Sequence, residues 1–290
     1  MIKVQAYDPA NPPLGLMADL IYQTLVHSPR RIAFGGKAGA GKTEMCRLIA
    51  GTSELLTGET WMGHPPIPIL NHADLIKEEV LQYVARCKTA GIRPSSDEAF
   101  VAFCAHFDLP APFVRQDMGE IMIPLFTAMN QTLQDAYDHL PTLRQWAEMP
   151  PGTEIEAKVA LVDEYKTYFR TSLQLYGQAI KDTGGDPYYW VAQTVNRGLE
   201  HKIALNGDTR FREEMEILEG TGWTTIWLDI TRRTQKKRRP DLTKEQLAHP
   251  SENGLAKEDC RHVVDANQAP NLVLRDIHAI LAPKSVPVTL

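Results

Sequence analysis

The fold of this chain is decided by the stretch Gly36-Lys37-Ala38-Gly39-Ala40-Gly41-Lys42-Thr43. Its spacing, G-x-x-x-x-G-K-[ST], is that of a phosphate-binding loop. Residues 31–34 before the loop predict a short buried strand, and residues 44–50 after it predict a helix that ends at Gly51. Strand, loop and helix together predict that the chain binds a nucleoside triphosphate. The loop alone does not separate a kinase from a GTPase switch or a motor.

Each residue type in this loop has a mechanical reason. Glycines let the backbone turn tightly and bring its N–H groups close to phosphate oxygens. The helix that begins at Lys42 points the positive end of its dipole at the same anion. The Lys42 side chain supplies a positive charge for the outer phosphates, and the Thr43 hydroxyl supplies a ligand for Mg²⁺. All eight residues of the loop are therefore predicted to bind the nucleotide.

Composition and charge restrict the function classes. The chain has 290 residues, 43% of them hydrophobic and 23% charged, which is ordinary for a globular protein with a sizeable core. A net charge of -5 argues against a nucleic-acid binder that works through a globally basic surface. The four cysteines are widely scattered, which favours free thiols. Because no apolar run approaches the ~18 residues of a membrane helix and no signal-peptide pattern opens the chain, we expect a cytoplasmic protein without a membrane partner.

The pattern along the chain predicts an α/β protein. An amphipathic helix is expected over 14–27, and strands are expected over 67–70, 202–207, 223–230 and 261–264. Pro68 weakens the first of these strands or restricts it to a sheet edge. Helices are expected over 75–90, 211–219 and 272–281, and another is expected to begin with Asp186 as its N-cap and Pro187 as its first residue. Helices near 119–139, 141–148 and 154–182 predict a helical insertion that covers one edge of the sheet.

Charged residues follow two of the expected strands. Asp74 and Lys77 come after the strand at 67–70, where open α/β sheets place ligand contacts. The alternative is a helix cap at Asp74 and a solvated Lys77. Asp208 follows the strand at 202–207, where a phosphate-loop enzyme holds Mg²⁺ or its water shell. The alternative is that Asp208 caps the helix that follows.

A basic run lies between the last two expected strands, with the sequence RRTQKKRRP over 232–240. Three interpretations are open. The run is a nucleic-acid patch or targeting signal, a lid that closes over the phosphates, or a solvated basic loop. Its place after a core strand favours the lid.

Six short segments, in order along the chain, match one family. They are Ala73-Asp74-Leu75-Ile76-Lys77, Arg170-Thr171-Ser172-Leu173-Gln174-Leu175-Tyr176-Gly177, Asp186-Pro187-Tyr188-Tyr189-Trp190-Val191, Asp208-Thr209-Arg210-Phe211-Arg212-Glu213-Glu214, His249-Pro250-Ser251-Glu252 and Asp265-Ala266-Asn267. With them the chain resembles the phage deoxynucleoside monophosphate kinases, a branch of the P-loop nucleoside kinases. The resemblance covers about two thirds of the chain. It does not cover 1–28 or much of 92–150, the last segment has one inserted residue, and the basic stretch 231–243 is longer than the family pattern.

The resemblance implies a P-loop kinase three-layer sandwich. Its sheet would have about five mainly parallel strands, with helices on both faces and a helical insertion. Residues 1–28 would form an N-terminal arm and helix. Residues 29–91 and 186–290 would form the two halves of the core, and 92–185 the helical, substrate-binding insertion. The segment 231–256 would form the lid.

The resemblance also implies a reaction, the transfer of the ATP γ-phosphoryl group to a deoxynucleoside monophosphate (dNMP) to give the diphosphate for phage DNA synthesis. Lys42 and the loop would hold the β- and γ-phosphates, and Thr43 and Asp208 would hold Mg²⁺. Arg170 and Arg210 would grip the acceptor phosphate. The acceptor would also contact Asp74, Lys77, Gln174 and Trp190. An arginine of the basic run, Arg232 or one of Arg233, Arg238 and Arg239, would move in on closure, and a homodimer is possible.

Other interpretations of these residues and of the whole chain remain. Arg170 can be a surface ion-pair partner, Trp190 a core residue, and Arg210 a partner of Glu213 or Glu214. One rival function is a P-loop kinase that acts on a modified base in DNA, which the basic run favours and the net charge does not. Another rival is a nucleotide-dependent ATPase or switch module. A stable nucleic-acid complex is not expected of the dNMP kinase.

Overall fold

The computed structural model describes residues 10–56, 63–76, 186–248 and 250–282. The chain divides into two compact units, one made of 1–72 with 193–290 and the other of 73–192. The larger unit carries the sheet and the phosphate-binding loop. The insertion predicted over 92–185 falls outside the described residues.

A parallel sheet forms the centre of the larger unit. Its strands are β1 (Arg31–Gly35), β2 (Ala204–Asn206), β3 (Trp223–Asp229) and β4 (His262–Asp265). They lie in the order β2-β1-β3-β4, and every neighbouring pair is parallel. The prediction of an α/β fold is confirmed. Because β1 is flanked on both sides, the loop that follows it lies between the carboxyl ends of two neighbouring strands.

The strand predicted over 67–70 is much shorter than expected. Only Ile69 pairs with the sheet, through a parallel bridge to Leu205 of β2. The Leu205 N–H donates to the Pro68 carbonyl (3.0 Å), and the Leu70 N–H donates to the Leu205 carbonyl (2.7 Å). Proline has no N–H to donate, so this segment lies at the edge of the sheet beside β2, as Pro68 predicted. The described sheet therefore has four strands and one edge bridge, where about five strands were expected.

Eight α-helices are found among the described residues. They are α1 (Leu14–His27), α2 (Lys42–Ala50), α3 (Tyr189–Leu199), α4 (Arg212–Gly220), α5 (Arg232–Arg238), α6 (Lys244–Ala248), α7 (Pro250–Asn253) and α8 (Pro270–Leu281). Residues 72–76 are also helical, and Lys257–Asp259 form a 3-10 turn. The helix predicted over 14–27 is confirmed. None of the helices in the described ranges is long and apolar enough to cross a membrane.

Helices cover both faces of the sheet. Alternate residues of the central strands, Ile32 and Phe34 of β1 and Ile226 and Leu228 of β3, pack into one core with α1, α2 and α8. On the opposite face, Gly35 of β1 lies against Met215 of α4. Gly198 of α3 lies against the Trp223 ring on that same face. The period of two in the strands thus produces a layer of helices on each side.

The start of α3 differs from its prediction. Asp186 was expected to cap a helix that begins at Pro187, but the helix begins at Tyr189. The Asp186 carboxylate accepts the Tyr188 N–H at 2.8 Å, and the Asp186 carbonyl accepts the Tyr189 N–H at 3.2 Å. Asp186 therefore closes a turn that precedes the helix, because a short acidic side chain competes for the nearest free backbone N–H groups.

Two cysteines in the described residues, Cys46 and Cys260, are free and buried. This confirms the free-thiol prediction for those two positions. Burial, with smaller contributions from Asp259 and Glu219, raises the pKa of Cys260 to about 12. The thiol is therefore protonated at neutral pH and serves as a small apolar packing group.

We predict that Gly198→Ala destabilises the fold by about 1–3 kcal/mol, because its Cβ would lie 2.7 Å from the Trp223 ring. The ring is 1% exposed and has no room to move. Gly220→Ala is the matched control, since nothing lies within 4 Å of its Cβ position. The control should be neutral or stabilise by up to about 1 kcal/mol. Urea unfolding checks both, and equal stabilities would contradict the packing of α3 on β3.

Candidate functional site

The phosphate-binding loop has the backbone that its glycines predicted. Gly36, Gly39 and Gly41 have φ values of 142°, 81° and 92°. A Cβ on Gly36 would lie 2.8 Å from the Leu228 carbonyl oxygen, so both its φ and the neighbouring strand require glycine. Gly41 is the N-cap of α2, and its carbonyl accepts the Met45 N–H at 2.8 Å. The loop thus leads from the buried strand β1 into the N-terminus of α2, where backbone N–H groups favour an anion.

The Lys42 side chain is turned back onto the loop. Its Nζ donates to the Gly36 carbonyl and, at 3.3 Å, to the Lys37 carbonyl. Burial, and next the charge of Arg210, lower the pKa of Lys42 to about 8, while Glu252, Asp208 and, more weakly, Cys46 oppose this shift. The positive charge is therefore only partly compensated. An added anion would favour the charged ammonium.

Asp208 lies beside this lysine, after β2. A Cβ on the preceding Gly207 would lie 2.9 Å from Cys46 Sγ and 3.4 Å from the Lys42 carbonyl, so the turn after β2 packs against the first turn of α2. The Asp208 carboxylate accepts the His72 N–H at 2.9 Å. Its charge is felt at Lys42, where it raises the pKa. At the start of α4, the helix that Asp208 was alternatively predicted to cap, the Phe211 N–H donates instead to the Glu214 carboxylate at 3.2 Å.

A buried asparagine, Asn206, fixes the turn that presents Asp208. Its amide donates to the Leu70 carbonyl at 2.7 Å. Its carbonyl oxygen accepts the Asp208 N–H at 3.2 Å and the Thr209 hydroxyl at 2.8 Å. Asn206 is completely buried, and the sequence analysis did not single it out. Its position as the last residue of a buried strand, directly before Gly207-Asp208, was the available signal.

Arg210 pairs with a residue of the predicted lid, the segment 231–256. Its Nη1 donates to Glu252 Oε1 at 2.9 Å. The other oxygen of the same carboxylate, Oε2, accepts the backbone N–H of Ala38 at 2.9 Å. The pairing of Arg210 with Glu213 or Glu214 is therefore not observed, and Glu214 instead accepts the Arg210 backbone N–H at 3.0 Å. Glu252 belongs to the segment His249-Pro250-Ser251-Glu252 and is not among the predicted site residues.

The basic run forms the helix α5 and contacts the phosphate-binding loop. Gln235 donates to the Ala38 carbonyl at 3.1 Å, and Arg238 donates to the Gly39 carbonyl at 3.3 Å. Arg238 also donates to the Ala266 carbonyl at 2.8 Å. Arg239 forms an ion pair with Asp241 at 2.6 Å, and its hydrogen bonds are the main reason that the pKa of Asp241 falls to about 2. Arg232 lies exposed in the first turn of α5.

The remaining predicted site residues fall elsewhere. Lys77, Arg170 and Gln174 lie outside the described residues. Asp74 and Trp190 belong to the second compact unit. The Trp190 side chain is 2% exposed and packs edge-on against the Tyr189 ring, with ring centroids 4.9 Å apart. This is the environment of a core side chain, and contact of Trp190 with a base stays a prediction.

Comparison with known proteins returned no match. No protein-family model matches the chain, and neither a curated protein nor a solved structure matches it.

We predict that Asn206→Ala destabilises the protein by about 1–3 kcal/mol, because the Leu70 carbonyl and the Thr209 hydroxyl lose their partner. Asn196→Ala, on the exposed side of α3, is the control and should stay within about 0.5 kcal/mol of the parent. Urea unfolding measures both. If the two variants are equally stable, Asn206 does not hold the turn before Asp208.

Proposed function

We propose that this chain is an ATP-dependent kinase that transfers the γ-phosphoryl group to a deoxynucleoside monophosphate. The observation that carries the proposal is the glycine-rich loop between β1 and α2, with Lys42, Asp208 and Arg210 gathered beside it. Phosphoryl transfer asks a protein to position two anions and to screen their repulsion. A loop that binds anions, together with two cations and a carboxylate, supplies the charges for that task.

The fold supports the same proposal. The chain is an α/β protein, and its described residues form a four-stranded parallel sheet with helices on both faces. We infer a P-loop kinase sandwich in which the edge segment at Ile69 takes the fifth strand position. The helical insertion over 92–185 would then supply the acceptor-binding residues Arg170 and Gln174. In this arrangement, ligands bind at the carboxyl ends of the parallel strands, where the loop lies.

On the donor side, the loop N–H groups and Lys42 would bind the β- and γ-phosphates of ATP. Lys42 would exchange the Gly36 and Lys37 carbonyls for phosphate oxygens, which compensate its charge better. Thr43, exposed in the first turn of α2, and Asp208 offer the oxygen ligands that Mg²⁺ prefers, and the two residues flank Lys42. When bound, Mg²⁺ would offset charge on the transferring phosphoryl group.

On the acceptor side, Arg210 is the best supported contact. Its side chain is 41% exposed, and its guanidinium already holds a carboxylate beside the loop. A phosphate offers two oxygens to the same planar fork. Arg232 would approach the transferring group when the lid closes. Contacts of the acceptor with Asp74, Lys77 and Trp190 stay predictions from the sequence. The product would be a deoxynucleoside diphosphate for phage DNA synthesis in the cytoplasm, made by a monomer or a homodimer.

A second candidate is a kinase that acts on a modified base in DNA. Its supporting observation is the exposed basic surface of α5, which carries Arg232, Arg233, Lys236 and Lys237 next to the phosphate-binding loop. Such a surface can contact backbone phosphates without reading sequence. A duplex DNA acceptor distinguishes this candidate from the dNMP kinase.

We predict that Lys42→Ala lowers monophosphate-dependent ADP release by at least about a hundredfold, because a preorganised charge at the transferring phosphates is lost. The fold should be retained, since the substitution removes a charge that burial disfavours. Lys202→Ala, which removes an exposed lysine before β2, is the control and should keep the parent rate. An unchanged rate of ADP release in a folded Lys42→Ala protein would contradict the proposed kinase function.

A further inference from the structure

The carboxylate of Glu252 lies where the proposed function needs a phosphate. Its two oxygens are bound by two donors from distant parts of the chain, the Ala38 backbone N–H and the Arg210 guanidinium, each at 2.9 Å. Ala38 belongs to the anion-binding loop, and Arg210 is the arginine assigned to a phosphate. The Glu252 carboxylate therefore accepts a hydrogen bond from the loop and neutralises Arg210, and the proposed substrates need both of these groups.

Glu252 is held in place by the chain around it. The Arg212 N–H donates to the Gly254 carbonyl at 2.9 Å. A Cβ on Gly254 would lie 2.6 Å from the Phe211 ring and 3.0 Å from the Arg210 carbonyl, so the segment after α7 lies flat against the start of α4. Leu255 is 8% exposed and lies against Gly35 at the end of β1. The Glu252 side chain is 12% exposed. The chain is therefore held in place directly after Glu252.

The contact also links the lid to the loop electrostatically. Arg210 lowers the pKa of Lys42, and the charge of Glu252 makes the largest contribution in the opposite direction. Asp208 makes the next largest. A triphosphate that enters the loop would bring its own negative charge to the Ala38 N–H that Glu252 already occupies. Two anions that compete for one N–H group repel each other, so they do not occupy the site together.

We infer that the Glu252 carboxylate occupies the phosphate site in the free protein, and that an incoming nucleoside triphosphate displaces this carboxylate. This inference rests on the proposed function. Displacement would free the Ala38 N–H for the triphosphate and release Arg210 from Glu252, so that Arg210 can bind the acceptor phosphate. It would also release the segment 250–255 from the loop, so that lid movement and phosphate binding become one event. Glu252 then weakens phosphate binding in the free protein and keeps the donors ordered until a ligand arrives.

An opposite role for Glu252 is testable with the same variants. If Glu252 stays bound to Arg210 in the complex and orients it, removal of the carboxylate should weaken phosphate binding. If Glu252 is displaced, removal should strengthen it. The sign of the change therefore decides between an occupant and a positioning residue.

The experiment measures binding of inorganic tripolyphosphate by calorimetry, because this probe reports on the phosphate site without a base or sugar. Glu252→Gln keeps the shape and removes the charge, and Glu252→Ala removes the group. Glu258→Gln, an exposed position on the 3-10 turn, removes the same charge elsewhere and is the matched control. Both Glu252 variants should bind about tenfold more tightly than the parent protein, and the control should bind like the parent.

Amide hydrogen exchange gives an independent measurement. If Glu252 had only a structural role, exchange in the segment 250–255 would not change when tripolyphosphate binds. Tripolyphosphate should increase exchange in the 250–255 segment of the parent protein while it protects the loop at 36–43. If the Glu252 variants bind equally or more weakly while Lys42→Ala abolishes binding, this inference fails and the phosphate site stands. If neither the parent nor any Glu252 variant binds tripolyphosphate, the proposed function fails, and this inference with it. Should Glu252→Ala melt before assay, Glu252→Gln decides alone.

Discussion

Positively charged groups lie together at the carboxyl end of the buried strand β1, and negatively charged side chains from other segments partly offset their charge. The turn after β1 directs backbone N–H groups and the N-terminus of α2 to one place, and Lys42 and Arg210 lie beside them. Burial makes the charge of Lys42 costly, which is why its pKa falls. Two carboxylates, Glu252 and Asp208, come from other segments to meet this charge. These two carboxylates thus offset part of the positive charge beside the loop.

The packing around the loop leaves little freedom in its shape. Gly36 has no space for a Cβ because the Leu228 carbonyl of β3 is too close, and Gly207 has none because α2 is too close. Gly35 is enclosed in the same way by Leu255, Cys260 and Met215. The neighbouring strand β3 and the residues packed on Gly35 thus restrict the backbone where β1 enters the loop. A backbone that is already in place lowers the cost of binding an anion.

Local pattern in the sequence was sufficient for most of this core. The helix α1 and the strands β1 and β3 were placed to within a residue, because apolar runs with clear turn signals decide them. The strand predicted over 67–70 forms only one bridge, because Pro68 has no N–H for pairing. The helix α3 begins two residues later than predicted, because Asp186 closes a turn before it. The partner of Arg210 was missed. The carboxylate that binds it also binds Ala38, 214 residues earlier in the chain, and local periodicity carries no information on such a pairing. The same holds for Asn206, whose bond to Leu70 spans 136 residues.

The central claim is that the protein passes a phosphoryl group from ATP to a free mononucleotide. The most direct measurement is ADP release from ATP and Mg²⁺ with dAMP, dGMP, dCMP, dTMP, 5-hydroxymethyl-dUMP or duplex DNA as acceptor, with the product identified by phosphorus NMR. The account predicts strong stimulation by one or several monophosphates and the appearance of the corresponding diphosphate. Stimulation by duplex DNA alone, or turnover that is indifferent to every acceptor, would contradict it.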